Sequence, residues 1–380
     1  MSGISAEGQQ TATPAVARKL LDKHMLPIWS LAMPALGLIA IALSLGKMGG
    51  WGVIVASVIL IGAVLAAVHH AEVVAHRVGE PFGTLVLAVA VTVIEVSLIV
   101  SLMTSGGGDA ATLARDTVFA AIMIILNGIV GICLLVGGVR HHEQTFALKG
   151  VSAALCVLAA MAVLSLILPN YTLSAPGPFF TPSQLIFTAV VSLTLYATFV
   201  LIQTVRHRDY FLPGDIHDID EDTHADPPTN GQAWLAFAVL IAALVSVVLL
   251  AKDLAPTLER AVLSAGLPLA LVGVAIAGLV LAPESLAAVR AARRNRLQTS
   301  LNLALGSALA TIGLTIPAVA IASLMLGLPI ALGIDAKSMT LLGLSLIVAV
   351  LSLGTGRTTV LQGMVHLLIF ASYLFVTVIP

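Results

Sequence analysis

The chain has 380 residues, of which 59% are hydrophobic and only 10% charged; soluble domains carry about 25% charged residues, so this is an integral membrane protein. A formal net charge of −1 leaves no electrostatic footprint for nucleic acid. The two cysteines, Cys133 and Cys156, fall inside apolar runs and read as small hydrophobes rather than as a disulfide or a thiolate metal site.

Residues 1–24 are polar, lack a cleavable signal pattern and read as a flexible cytoplasmic tail. Apolar runs of spanning or near-spanning length follow at 26–45, 52–68, 82–103, 118–139, 151–168, 185–205, 233–250, 261–289, 300–326, 339–353 and 360–378. Long apolar runs without period-two alternation form helices, not a barrel. The expected fold is therefore all-α and membrane-embedded, with about 11 transmembrane helices. The eighth and ninth runs are long and hold Pro283 and Pro317, which predicts broken or tilted helices.

Lysine and arginine counts set the orientation. With the N-terminus inside, thirteen of the 18 basic residues face the cytoplasm, among them Arg140, Arg206, Arg290, Arg293, Arg294 and Arg296. Lys47, Arg115, Lys252, Arg260 and Lys337 then fall outside, as does the C-terminus. The connection after the sixth run differs in kind, carrying Asp209, Asp215, Asp218, Asp220, Glu221, Asp222 and Asp226. It divides the chain into a first helix (25–50), a repeat of helices 2–6 (51–206), an acidic cytoplasmic loop (207–232) and a repeat of helices 7–11 (233–380). Two groups of five spans have opposite topology, the inverted-repeat plan of many secondary transporters.

Each group opens on Gly-x-Pro (Gly79-Glu80-Pro81 and Gly266-Leu267-Pro268) and runs into a glutamate in apolar surroundings. Glu95 stands near the middle of its run, where a charge costs roughly 2.5–3.5 kcal/mol. Glu284 follows Pro283, which interrupts helix hydrogen bonding and frees nearby carbonyls. With His366 these are the ionisable groups inside the spans, Tyr and Cys aside. A buried structural glutamate is the plain alternative for either acid, and an interfacial first turn for Glu284. Their matching places in the two groups favour function.

Thr84, Ala88, Thr92 and Glu95 share one helix face, and Ser285 follows Glu284 directly. Ser300, Ala304, Ser307 and Thr311 form a small polar face, with Asn302, Gly306 and Gly313 beside it. Asn127 lies in the matching helix of the first group. Packing alone explains any single one of these small residues. Together with two carboxylates they make an all-oxygen donor set, suited to Ca²⁺ or Na⁺ rather than to soft metals. Bare, two such carboxylates repel and are poorly hydrated, so they are kept neutral by protons or by a cation. Exchange follows if only the neutralised site can change sides.

His69, His70, Glu72 and His76 cluster at the inner end of the second run, and His141-His142-Glu143 follow the fourth. Interfacial anchoring is the plain reading, with pH sensing as a second and a membrane di-metal oxidase as a remote third. His366 reads as a hydrogen-bonded packing residue. Asp218, Asp220, Glu221 and Asp222 start like a calcium loop, but Thr223 and Thr229 occupy its glycine and glutamate positions. A solvated loop or cation and pH regulation remains for these acids.

Three stretches, GEPFGTLVLAVAVTVIEVSLIVSLM, LARDTVFAAIMIILNGIVGICLLVGGVRHHEQTF and PESLAAVRAARRNRLQTSLNLALGSALATIGLTIP, resemble the calcium/cation antiporter superfamily. The likeness is to its bacterial calcium (sodium, potassium)/proton branch and covers nearly the whole chain after the tail. It implies export of Ca²⁺, with Na⁺ or K⁺ as further cargo, against protons across a bacterial inner membrane. It implies Glu95 and Glu284 as the shared cation and proton site, Asn127 and Ser307 on the helices facing them, and transported ions rather than a cofactor. A monovalent Na⁺(K⁺)/H⁺ antiporter is the chief rival. The chain departs from the eukaryotic vacuolar exchangers, reading Val-Thr-Val-Ile-Glu where they have Gly-Asn-Ala-Thr-Glu, and Ala310 where they have glutamine. The resemblance thus fixes no single choice among the three cations, and implies no oligomeric state.

Overall fold

The structure is a computed structural model describing residues 26–47, 50–79, 82–104, 110–211 and 228–379. The expected tail (1–24) and Asp218, Asp220, Glu221 and Asp222 lie outside the described residues. The helices are α1 (Ile28–Ala42), α2 (Trp51–Val78), α3 (Phe82–Thr104), α4 (Leu113–His141), α5 (Leu148–Tyr171) and α6 (Pro182–Arg206), then α7 (Asn230–Ser264), α8 (Ala270–Val280), α9 (Ala282–Arg293), α10 (Leu297–Leu326), α11 (Ala336–Leu353) and α12 (Val360–Val378). Among the described residues nine helices are long and apolar enough to cross a membrane, and the bent pair α8–α9 makes a tenth candidate. The 15 residues of α1 reach only about 22 Å, short of a hydrocarbon core of about 30 Å. The protein is an all-α membrane protein.

Polar side chains at the helix ends satisfy amides left without partners. Capping boxes start α6 (Thr181 with Gln184), α7 (Thr229 with Gln232) and α12 (Thr359 with Gln362), and the Asp335 carboxylate caps α11. Wide π-turns interrupt α4 at Ile124–Ile129, α5 at Val163–Ile167, α6 at Ile202–Arg206 and α10 at Thr311–Thr315. Two of them stand just before Pro169 and Pro317. Widening the turn accommodates a residue that lacks an N–H and crowds the preceding carbonyl.

One boundary differs from expectation. The seventh helix does not stop near 250 but runs through Lys252, Asp253, Pro256 and Arg260 to Ser264. The charge that looked like a membrane exit has a partner there, since Asp253 Oδ2 accepts the Gly46 N–H at 3.1 Å. The chain turns instead at Gly266, whose φ of 68° suits glycine. The eighth run is accordingly shorter and breaks at Leu281, with α9 bent 56° from α8 and Pro283 in its first turn.

Buried side chains form one large cluster on α4, α5 and α10–α12 and a second on α1, α2 and α7. Helices α3 and α8 contribute to both, through Ile99 and Ala277 on one side and Ile94 and Ile276 on the other. Two residues of extended chain, Gln144–Thr145, pair antiparallel with Arg357–Thr358 and link the α4–α5 and α11–α12 turns. Helices α4 and α12 touch backbone to backbone. A Cβ at Gly363 would run into the Leu135 amide nitrogen and come within 2.9 Å of the Gly131 carbonyl. Gly363→Ala is therefore expected to destabilise the protein by about 1–3 kcal/mol, read as a lower melting midpoint in detergent.

Candidate functional site

Glu95 sits within α3 at 2% exposure, and its Oε2 accepts the Thr315 hydroxyl at 2.7 Å. Its Oε1 is buried with no protein donor. Thr315 closes the π-turn of α10, so the hydroxyl reaches across from the neighbouring helix. Glu284 lies in the first turn of α9, immediately after the break. The start of a helix carries partial positive charge and favours an anion. Its Oε2 is likewise buried without a donor.

Both carboxylates line one cavity of ≈ 260 Å³ between α3, α6, α9 and α10. Its other polar walls are Thr92, Tyr196, Gln203, Thr299, Asn302, Ser307 and Thr311. With a water occupying about 30 Å³ of liquid, the space takes one cation and several waters. Every donor atom on this wall is oxygen, apart from the amide nitrogens of Gln203 and Asn302. The cavity's lining extends to Gln203 near the C-terminal end of α6 and Thr299 near the N-terminal end of α10.

The predicted residues divide. Glu95, Glu284, Thr92, Asn302 and Ser307 meet on the cavity. The Thr92 hydroxyl donates to Ala88 O at 2.8 Å, and the Asn302 amide donates to Phe211 O at 2.6 Å. The side chain of Thr84 lies outside the described ones. Asn127 is not on this cavity: its Nδ2 donates to Ser345 Oγ at 2.8 Å and its Oδ1 accepts from His366 Nδ1 at 3.2 Å. Those bonds turn the amide toward α11 and α12. Ser285 is also off the wall, its hydroxyl donating to Leu281 O at 2.6 Å across the helix break. His366 is a hydrogen-bonded packing residue, with Ser352 Oγ 2.7 Å from its other ring nitrogen.

His69, His70, Glu72 and His76 lie along α2 and do not line the cavity, although Glu72 is close enough to Glu284 for the two charges to interact. His70 Nε2 donates to Ser30 O at 3.2 Å, and the His69 ring stands 5.8 Å from that of Trp29 on α1. His141, at the end of α4, donates to Arg293 O at 3.1 Å. Among the described residues no three His, Cys, Asp or Glu side chains converge as metal ligands, so the histidines do not assemble the centre an oxidase needs.

Thr315, Tyr196 and Gln203 escaped the sequence reading. Thr315 had a signal, a hydroxyl one turn beyond Thr311 and just before a proline. Thr315→Val is expected to slow exchange about three- to tenfold while the protein still folds, because one buried hydrogen bond to a charged group is worth about 1.5–3 kcal/mol and water in the cavity replaces part of it. Initial flux rates at matched protein density measure this.

Bilayer-length helices, a span broken beside an acid, and two buried carboxylates on one cavity define a secondary transporter of cations. The family described as "Sodium/calcium exchanger protein" matches residues 48–205 and 235–379, and the chain belongs to this family of antiporters. It is 49% identical over 362 residues to the "Putative ionic transporter y4hA" of Sinorhizobium fredii, covering 93% of this chain and 97% of that one. It is 38% identical over 318 residues to the "Sodium-potassium/proton antiporter ChaA" of Escherichia coli, covering 83% and 85%. In fold it is similar to native YfkE, with a TM-score of 0.70 at 16% identity over 93% of this chain and 99% of that one. It is also similar to the H⁺/Ca²⁺ exchanger CAX, with a TM-score of 0.69 at 15% identity over 94% and 89%. The protein is thus a cation exchanger, not an enzyme, and the family's ions are cargo rather than cofactors.

Proposed function

We propose that the chain exports Ca²⁺, and Na⁺ or K⁺ through the same site, in exchange for protons, with Glu95 and Glu284 carrying cation and protons in turn. The observation that supports this best is the pairing itself: two carboxylates on one cavity, each with a buried oxygen that no protein donor satisfies. Two bare negative charges in a low-dielectric interior are costly. One divalent cation neutralises them, as do two protons, or one monovalent cation with one proton. If the site changes sides only when neutral, neither ion crosses without the other.

The rest of the frame is read the same way. Helices α2–α6 and α7–α12 are assigned as inverted repeats, each with a π-turn in the helix that follows its acid (Ile124–Ile129 and Thr311–Thr315). The cavity's lining reaches toward the ends that carry Arg206 and Arg296, the side the positive-inside rule makes cytoplasmic. The N-terminus is then cytoplasmic and the C-terminus periplasmic in a bacterial inner membrane. Asp218, Asp220, Glu221, Asp222 and the α2 histidines are assigned at most a regulatory part.

A monovalent antiporter is a second reading, favoured by the 38% identity to a protein named a sodium-potassium/proton antiporter. Purified protein in liposomes under an imposed pH gradient separates the two. Ca²⁺ flux driven by protons supports the first, and Na⁺ or K⁺ flux without Ca²⁺ supports the second. No proton-driven flux of any of the three overturns both.

A further inference from the structure

The cavity reaches Glu95 and Glu284 from one side of the molecule. On the opposite side lies a second pocket of ≈ 150 Å³, walled by the N-terminal ends of α4, α8 and α11 and the C-terminal end of α12. We propose that this pocket is the closed outer mouth of the transport path, plugged by Phe119 and Tyr373 and sealed where α8 lies on α4 at Gly273. The proposal rests on the cation-exchange reading above.

Three observations converge on it. The first is the composition of the walls. If the halves are inverted copies, α4 corresponds to α10, α8 to α3 and α12 to α6, so three of the four helices around this pocket are the counterparts of helices around the cavity, α11 being the exception. The second is the state of the two seams. A Cβ placed on Gly306 of α10 has nothing within 4 Å, as expected beside an open cavity. One placed on Gly273 of α8 would stand 3.0 Å from the Thr117 amide nitrogen and 3.1 Å from the Asp116 carbonyl carbon, so that seam is shut at backbone contact. The third is the plug. Phe119 and Tyr373 lie one turn deeper than Asp116 and Thr377, are 5% and 4% exposed, and meet edge to face with ring centroids 5.4 Å apart.

The lip of the pocket is charged while its base is aromatic. Arg115 pairs with Asp116 at 2.9 Å and donates to the Gly333 carbonyl at 2.7 Å, tying α4 to the segment before α11. The Thr112 hydroxyl donates to the other Asp116 oxygen at 3.1 Å. An ion arriving from this side meets the charged lip and stops at the two rings. Passage requires that α8 part from α4 and that the rings separate, leaving Gly273 as uncovered as Gly306 is on the other side.

Cysteine accessibility tests this in the full chain in oriented vesicles, with the exposed Cys156 replaced by serine and the buried Cys133 kept. Lys337→Cys at the exposed lip is expected to react with a charged, impermeant thiol reagent from the outer side whether or not ions are exchanging. Phe119→Cys is expected to react from that side at least about tenfold faster during proton-driven exchange than at rest, and not from the inner side. Gly273→Leu, which props the seam, is expected to leave Phe119→Cys reactive at rest and to lower exchange about tenfold or more. Labelling of Phe119→Cys from the inner side, a rate indifferent to turnover, or normal exchange by Gly273→Leu would each overturn the proposal. Those results leave Glu95 and Glu284 untouched. Absence of exchange by the unsubstituted protein with Ca²⁺, Na⁺ and K⁺ alike overturns the functional reading, and this one with it.

Discussion

Glu95→Gln is expected to reduce proton-driven cation flux at least about a hundredfold, or about 2.7 kcal/mol at 1.36 kcal/mol per decade. Glutamine preserves the shape and still accepts the Thr315 hydroxyl, so the helix contact seen at 2.7 Å survives. What it removes is the negative charge and the capacity to hold a proton. Stability should move the other way. Taking a charge out of a helix interior relieves roughly 2.5–3.5 kcal/mol of insertion cost, so the melting midpoint should stay level or rise. Flux in liposomes and the melting midpoint of the same preparation measure both halves. Normal flux would take Glu95 out of the mechanism, and a dead, unstable protein would make it a structural residue.

Glu284→Gln is expected to abolish exchange to the same extent, with a different stability signature. Glu284 begins α9, where an anion gains about 0.3–1 kcal/mol from the helix end. Losing that interaction offsets the relief of a buried charge, so no gain in melting midpoint is expected. Glu284→Asp keeps the charge one methylene short and should restore part of the flux. Flux by the aspartate variant no better than by the glutamine one would show that negative charge at this place is not what matters.

The two acids were legible because each violates the rule that membrane helices exclude charge, and a violation needs no tertiary information to be seen. Thr92 was legible because helical spacing put it on the face of Glu95; Asn302 and Ser307 were legible as members of two small, polar faces on a later helix, and the resemblance set Ser307 toward the acids. Thr315 continues the Ser307–Thr311 spacing and was open to the same reading; which of these hydroxyls meets an acid is decided by the π-turn at Thr311–Thr315 and the packing of α10 on α3, which spacing alone does not show. Asn127 was assigned with the acids on resemblance, but its partners Ser345 and His366 come from helices more than 200 residues away in sequence. The end of α7 was missed for a similar reason. Lys252 and Asp253 look like an exit from the bilayer until Gly46 is seen to supply the aspartate with an amide.

The short pairing of Gln144–Thr145 with Arg357–Thr358, with Arg357 3.4 Å from Glu143, also has a mechanical consequence. It acts as a tie across two hairpins from different parts of the chain, so α4, α5, α11 and α12 are held together at that end, and any parting of Phe119 on α4 from Tyr373 on α12 must hinge there.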